Sequence, residues 1–243
     1  MGLELNDVRA PYRDFRTDEV MKYSKQMPLL IADARNPITV AQVMERRLNS
    51  ERADWKNNYI DTGDGVAFPT NQDKFKIVRS AQFLRGVTSD SNFSDGALIL
   101  NCAYESVGGA EFSRKDLKSI LGRDLTLDEV RKHPVWQELA GNQALLDEYT
   151  GRMFAEMGKK WKYTQAMGIY LSGAQKVETA RALAVLGLGD RSRVGDGSGL
   201  GCDKCRLVGV VPEALAGMII QPSLEQALAV VNRHSGDLDL RRK

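Results

Sequence analysis

Apolar positions form short runs in the first part of the chain and helix-spaced faces in the second. Met27–Asp33 holds a run that predicts a buried strand, with Pro28 tolerable only at its start or on an edge. Thr39 and Gln42 have capping-box spacing, and Val40, Val43, Met44 and Leu48 supply the apolar face of the helix they open. Residues 54–101 read as β. Tyr59-Ile60 precedes the turn-like cluster Asp61–Gly65, and Val66–Phe68 completes a hairpin. Phe75, Ile77 and Val78 predict another strand, and Ala97–Leu100 a third, the most buried of the set. The first 26 residues are polar and read as an arm or a short helix from Asp18.

After Gly108-Gly109 the pattern turns helical. Ser113 is placed to cap a helix to Leu121, and Thr126 with Glu129 forms a second capping box. Pro134 interrupts or restarts that helix, and Asn142 opens the longest one, with Leu145, Leu146, Tyr149, Met153, Phe154 and Met157 along one side. Ala174–Leu188 is a further helix candidate, Leu207–Val211 a strand, and Pro212 with Ser223 and Gln226 opens closing helices. The fold class is α+β: a β-rich N-terminal half, a helical second half and a C-terminal βα unit. The division runs 1–108 and 109–243, or the two parts form one domain.

Composition changes little. Among 243 residues, 34 basic and 32 acidic side chains leave a net charge of +2, which gives no general case for nucleic acid or membrane. A hydrophobic content of 42% supplies a sizeable core without staples. No run reaches the ~20 apolar residues of a membrane span. The first residues lack a signal peptide's pattern, and three cysteines suit a reducing cytoplasm. The local exception on charge is Lys159, Lys160, Trp161, Lys162 and Tyr163, where cations and stacking rings could meet nucleic acid. The same residues suit a helix end, with cations on the dipole and rings packed inward.

The chemistry concentrates in Gly195–Cys205. Cys202 and Cys205 have the spacing with which two thiolates share one zinc ion. A four-ligand site within one chain would need Cys102, His234 or both; alternatively two chains of a homodimer each contribute a pair. A redox dithiol is less apt, because a strand-like run rather than a helix follows. Gly197, Gly199 and Gly201 could cradle an anion, helped by Arg191, Arg193 and Lys204, although glycine-rich runs default to flexible connections.

Cys102, at the end of a strand, is a candidate nucleophile with His133 or Glu105 as its base; the alternative is a cysteine serving as a small apolar residue. Asp61-Thr-Gly has the composition of an aspartic-protease motif, but the adjoining Asp64-Gly65 favours a plain turn. Two functions follow. One is a soluble binding or assembly protein with zinc at the cysteine pair. The other is a small enzyme on a phosphorylated or carboxylated substrate, using Cys102 or the dithiol with the glycine loop as anion cradle.

Overall fold

The computed structural model describes residues 2–4, 15–17, 22–50, 52–70, 73–172, 176–197, 199–200 and 205–211. Strands β1 (Gly2–Glu4) and β2 (Phe15–Thr17) precede helix α1 (Tyr23–Ala32). Strand β3 (Asn36–Pro37) leads into α2 (Val40–Asn49) and the short α3 (Ala53–Asn57). There follow β4 (Ile60–Phe68), β5 (Lys74–Val78), α4 (Gln82–Arg85), β6 (Phe93–Ser94), β7 (Ala97–Ile99) and β8 (Ala110–Ser113). Helices α5 (Leu127–Lys132), α6 (Pro134–Ala140) and α7 (Gln143–Trp161) come in succession. Strands β9 (Ile169–Tyr170), β10 (Thr179–Val185), β11 (Val194–Gly195) and β12 (Val208–Val210) complete the described elements. The helices expected after Pro212, and Cys202, Lys204, Gly201 and His234, lie outside the described residues.

The chain is α+β. Its main sheet runs β6-β7-β10-β4-β5-β8, so strands from both sides of Gly108-Gly109 alternate in it. Strands β7 and β11 share the outer edge of β10: β7 at Thr179–Ala180, β11 at Ala184–Val185. A smaller sheet has the order β1-β2-β12-β3. The main core lies between one sheet face and α2 and α5–α7, where Trp136, Tyr149 and Met153 meet Val66, Phe68 and Leu183. A second cluster on the opposite face holds Tyr23, Met27 and Leu30 of α1 against Ala182, Leu200 and Leu207.

The helix signals hold where capping chemistry carries them. Thr39 Oγ1 accepts the Gln42 N–H while Gln42 reaches back to the Thr39 N–H, and Thr126 with Glu129 repeats the device. Asn142 caps α7, and Pro134 sits in the first turn of α6, where its missing N–H costs nothing.

Several expectations need correction. Met27–Asp33 belongs to α1, not a strand. Tyr23, Met27 and Leu30 are buried at helical spacing, while Leu29 and Ile31 face solvent despite lying in the same apolar run. Ala174–Leu188 contains β10, not a helix: Ala180 and Ala182 pack on one sheet face and Leu183 and Val185 on the other. Alternation was present there but disguised by alanine. Residues after Ser113 form turns rather than a helix. Strand β7 lies next to the edge strand β6 with Leu98 and Ile99 half-buried, and in the main sheet β4 and β10 are buried along their whole length. The N-terminal arm supplies β1 and β2 to the smaller sheet.

The largest correction is Asp61–Gly65, which is no hairpin turn. All nine residues of β4 are buried, and the register with β10 jumps between Ala182↔Gly65 and Ala184↔Asp61. Thr62, Gly63 and Asp64 therefore oppose Leu183 as a bulge in a central strand. The Thr62 hydroxyl donates to the Leu183 carbonyl at 2.7 Å, and the Gly63 N–H to Ile38 O at 2.7 Å. Asp64 accepts the N–H groups of Val40 (2.7 Å) and Ser80 (2.8 Å). Turn-type residues are needed because the bulge turns its backbone toward neighbours outside the ladder.

Candidate functional site

Two adjoining hollows share Tyr170 and Leu171 as a wall. One, of about 410 Å³, is bounded by Tyr170–Ser172, Ala184, Leu186 and Arg193–Gly197. The other, of about 350 Å³, is bounded by Arg114, Lys118, Leu121, Gly122, Tyr170 and Leu171. The groove is built where short parallel pairing of β9 with β11 brings Tyr170 beside Gly195, at the outer edge of β10.

Asp196 is the buried acid of this groove, 1% exposed. Its Oδ1 accepts the backbone N–H of Ser172 at 2.8 Å and the Ser172 hydroxyl at 2.9 Å. Its Oδ2 has no hydrogen-bond partner among the described residues. Burial pushes its pKa up, with the Ser172 hydrogen bonds and Arg181 pulling the other way. On the far side of Ser172, Arg114 Nη2 donates to the Ser172 carbonyl at 2.7 Å. Arg114 lies over the rings of Phe68 (5.3 Å) and Phe75 (5.7 Å). Partial burial lowers its pKa, opposed by the charge of Asp196. Ser172 thus separates a buried carboxylate from a half-buried guanidinium. Buried polar groups are normally satisfied, and Asp196 Oδ2 and Arg114 Nε are two buried atoms here without a hydrogen-bond partner among the described residues.

The anion cradle read from the sequence is only partly assembled. Gly197 lines the first hollow, whereas Gly199 packs against Gly96, and a Cβ on it would lie 3.0 Å from the Gly96 Cα. Arg191 and Arg193 both bind Asp124: Arg191 Nη1 at 2.8 Å, Arg193 Nε and Nη2 at 2.7 Å each. Those arginines hold the Asp124 pKa below the carboxylate range. Arg193 also stacks on Tyr170, with 5.1 Å to the ring centroid, so it forms a wall of the groove rather than a free cation.

The cysteine candidates are dispersed. Cys102 is an exposed free thiol, and no hydrogen bond joins it to His133 or Glu105 among the described residues. His133 is buried. Its Nδ1 accepts the Val135 N–H at 3.2 Å, capping α6, and burial lowers its pKa to about 4. A neutral capping imidazole is a structural element. Glu105 is exposed and lies 3.6 Å from Lys74. Cys205 is buried in the α1 cluster, its Sγ 3.9 Å from the Gly199 carbonyl. Among the described residues no three His, Cys, Asp or Glu side chains group as a metal site.

The basic and aromatic cluster ends α7. Trp161 and Tyr163 stack at 6.1 Å, Lys162 is the left-handed C-cap, and the Tyr163 hydroxyl donates to the Gly189 carbonyl. Arg114, Lys118, Tyr170, Ser172 and Asp196 were not singled out from sequence. The one available signal was Asp196, set between Gly195 and Gly197, where a carboxylate has little local reason to be buried.

No described helix is long and apolar enough to cross a membrane. No protein-family model matches the chain, and no curated protein matches it. Among solved structures, the chain is similar to one from work on "Accommodation of massive sequence variation in Nanoarchaeota by the C-type lectin fold". The TM-score is 0.64 at 13% identity, over 84% of this chain and 100% of the other. At that identity the likeness speaks for architecture alone, and the architecture is that of the C-type lectin fold.

Proposed function

We propose that this chain is a binding protein whose ligand sits in the groove between Tyr170–Ser172 and Val194–Gly197. The observation that carries the reading is Asp196: a carboxylate 1% exposed, with one oxygen held by Ser172 and the other without a hydrogen-bond partner among the described residues. An unsatisfied buried acceptor costs about 1–3 kcal/mol, which a ligand donor would recover. The walls are mainly apolar, with few convergent polar groups, the usual composition of a ligand site. The solved neighbour concerns a fold accommodating massive sequence variation, and a frame tolerant of changed side chains suits a presenting role.

The test is a fragment soak or ligand-observed NMR screen of the full chain, repeated on Gly197→Trp. A Cβ at Gly197 meets nothing within 4 Å, so the indole can fill the groove without forcing the backbone. Fragments should bind the native protein at Tyr170–Ser172 and lose that site in the variant. Binding that ignores Gly197→Trp would remove the reading.

Zinc at Cys202 and Cys205, within one chain or across a homodimer, remains part of the proposal. The support is the spacing and the burial of Cys205, which suits a closed structural site. A reducing cytoplasm is the setting that would keep such thiols available.

A further inference from the structure

We infer that the groove's ligand is anionic, with a carboxylate or phosphate seated in the adjoining hollow across the Tyr170–Leu171 wall, against Arg114 and Lys118 beside Gly122. This rests on the groove being a ligand site and adds the charge of its occupant. Arg114 makes one side-chain hydrogen bond among the described residues, to the Ser172 carbonyl, although a guanidinium has about five N–H donors. Its Nε is buried without a hydrogen-bond partner among the described residues, and Asp196, the carboxylate whose charge reaches it, makes its hydrogen bonds to Ser172 instead. The other groove arginine differs: Arg193 is closed off on Asp124.

Two features show that Arg114 is placed rather than stranded. The Phe68 and Phe75 rings hold its guanidinium plane, and the Ser172 carbonyl fixes one end. Arginine is suited to bidentate capture of planar or tetrahedral oxyanions when so oriented. Lys118, four residues on, is exposed, lines the same hollow and has no ion pair among the described residues. Asp196, beyond Ser172, gives the groove a direction. Its negative charge disfavours an anion at that end and accepts a donor there. Tyr170, Leu171 and Leu121 supply the apolar wall between.

The test uses three probes of similar shape: benzoate, phenyl phosphate and neutral benzamide. Each is titrated into the full chain while the amide signals of Gly122 and Leu171 and the Arg114 Nε–H signal are followed. The anions should shift these signals and bind about ten-fold or more tightly than benzamide. The stronger of the two anions identifies carboxylate or phosphate as the preferred group. Arg114→Met keeps a stem over the rings and removes the charge; it should reduce anion affinity to the benzamide level and weaken benzamide far less than the anions. Lys118→Ala, at an exposed position, should weaken anions a few-fold without a folding risk. Equal affinity for benzamide and the anions overturns the inference and leaves the groove as a neutral-ligand site. Anion binding untouched by both variants overturns it as an unspecific ion effect. No shift at Gly122 or Leu171 with any probe overturns it too, and the fragment soak then decides separately whether the groove binds anything.

Discussion

Asp61 and Arg206 hold each other twice through the backbone: the Arg206 N–H donates to Asp61 Oδ2 at 2.5 Å, and the Asp61 N–H donates to the Arg206 carbonyl at 2.9 Å. From the other side, Gln26 Nε2 donates to the Cys205 carbonyl at 2.7 Å, and Gln26 Oε1 accepts the Leu207 N–H at 3.0 Å. The segment entering β12 is therefore gripped between α1 and β4 by side-chain groups acting as strand partners.

That grip titrates. Burial raises the pKa of Asp61, and of Asp64 in the same strand, from 3.8 to about 6. Between those values the folded chain binds more protons than the unfolded one, so their contribution to stability grows as pH falls through 6 and levels off below 3.8. Asp61→Asn should remove one share of this gain, roughly 2 kcal/mol in order of magnitude. The check is chemical denaturation of both proteins from pH 7 to 4. Parallel stability curves would show that Asp61 does not titrate in this range.

His133 works in the opposite direction. Its folded pKa lies near 4 against an ordinary 6.5, so the stability of the neutral capped form is present above 6.5 and is lost as pH falls toward 4. His133→Asn keeps an N-cap acceptor for Val135 and has no proton to take up. Its stability should fall less than the native protein's over that interval, measured by thermal melts at each pH. Identical acid limbs would show that the imidazole is charged or already solvated in the fold.

Arg47 is a buried hub that pairs with no carboxylate among the described residues. Its guanidinium donates to the Tyr149 hydroxyl (3.0 Å), the Ser192 hydroxyl (3.0 Å) and the carbonyls of Trp55, Asn58 and Leu186. It joins α2, α7 and the turn before β11. Arg47→Lys keeps the charge but cannot reach five acceptors, and should cost about 3–5 kcal/mol in urea unfolding. A loss below about 1 kcal/mol would mean that these acceptors find other partners.

Legibility followed the range of the forces involved. Capping boxes at Thr39 and Thr126 are local and could be read directly, as could the strand at Phe75–Val78. The Asp61–Gly65 bulge could not, because its carboxylates and hydroxyl are satisfied by Val40, Ser80, Leu183 and Arg206, all distant in sequence. The groove failed in the same way: Ser172 and Asp196 meet through the pairing of β9 with β11, and Arg114 reaches Ser172 from the end of β8. Arg191 and Arg193 stood beside the glycine run as apparent anion ligands, and only the fold brings Asp124 to them.

The cysteine pair yields to direct analysis. If Cys202 and Cys205 hold zinc, protein purified without chelator should carry about one ion per chain for an internal site or one per two chains for a shared one. Cys205→Ser should then release the metal. Metal-free protein with a slowly alkylating Cys205 would instead make it a buried apolar residue of the α1 cluster.

Asp124 sets how much positive charge the groove presents. It accepts three hydrogen bonds from Arg191 and Arg193, and the Tyr170 hydroxyl lies 3.4 Å from it. Asp124→Asn keeps the shape but removes the charge that holds both guanidinium groups. Arg193 would keep its place against Tyr170 and become free to attract an anion entering beside Arg114. The half-exposed arginines make the stability loss modest, about 1 kcal/mol. Affinity for benzoate or phenyl phosphate should rise a few-fold, more at low salt, because the added attraction is screened. The same titrations at two ionic strengths provide the check. A variant that binds these anions more weakly than the native chain would mean that Asp124 positions Tyr170 for the ligand rather than neutralising the wall.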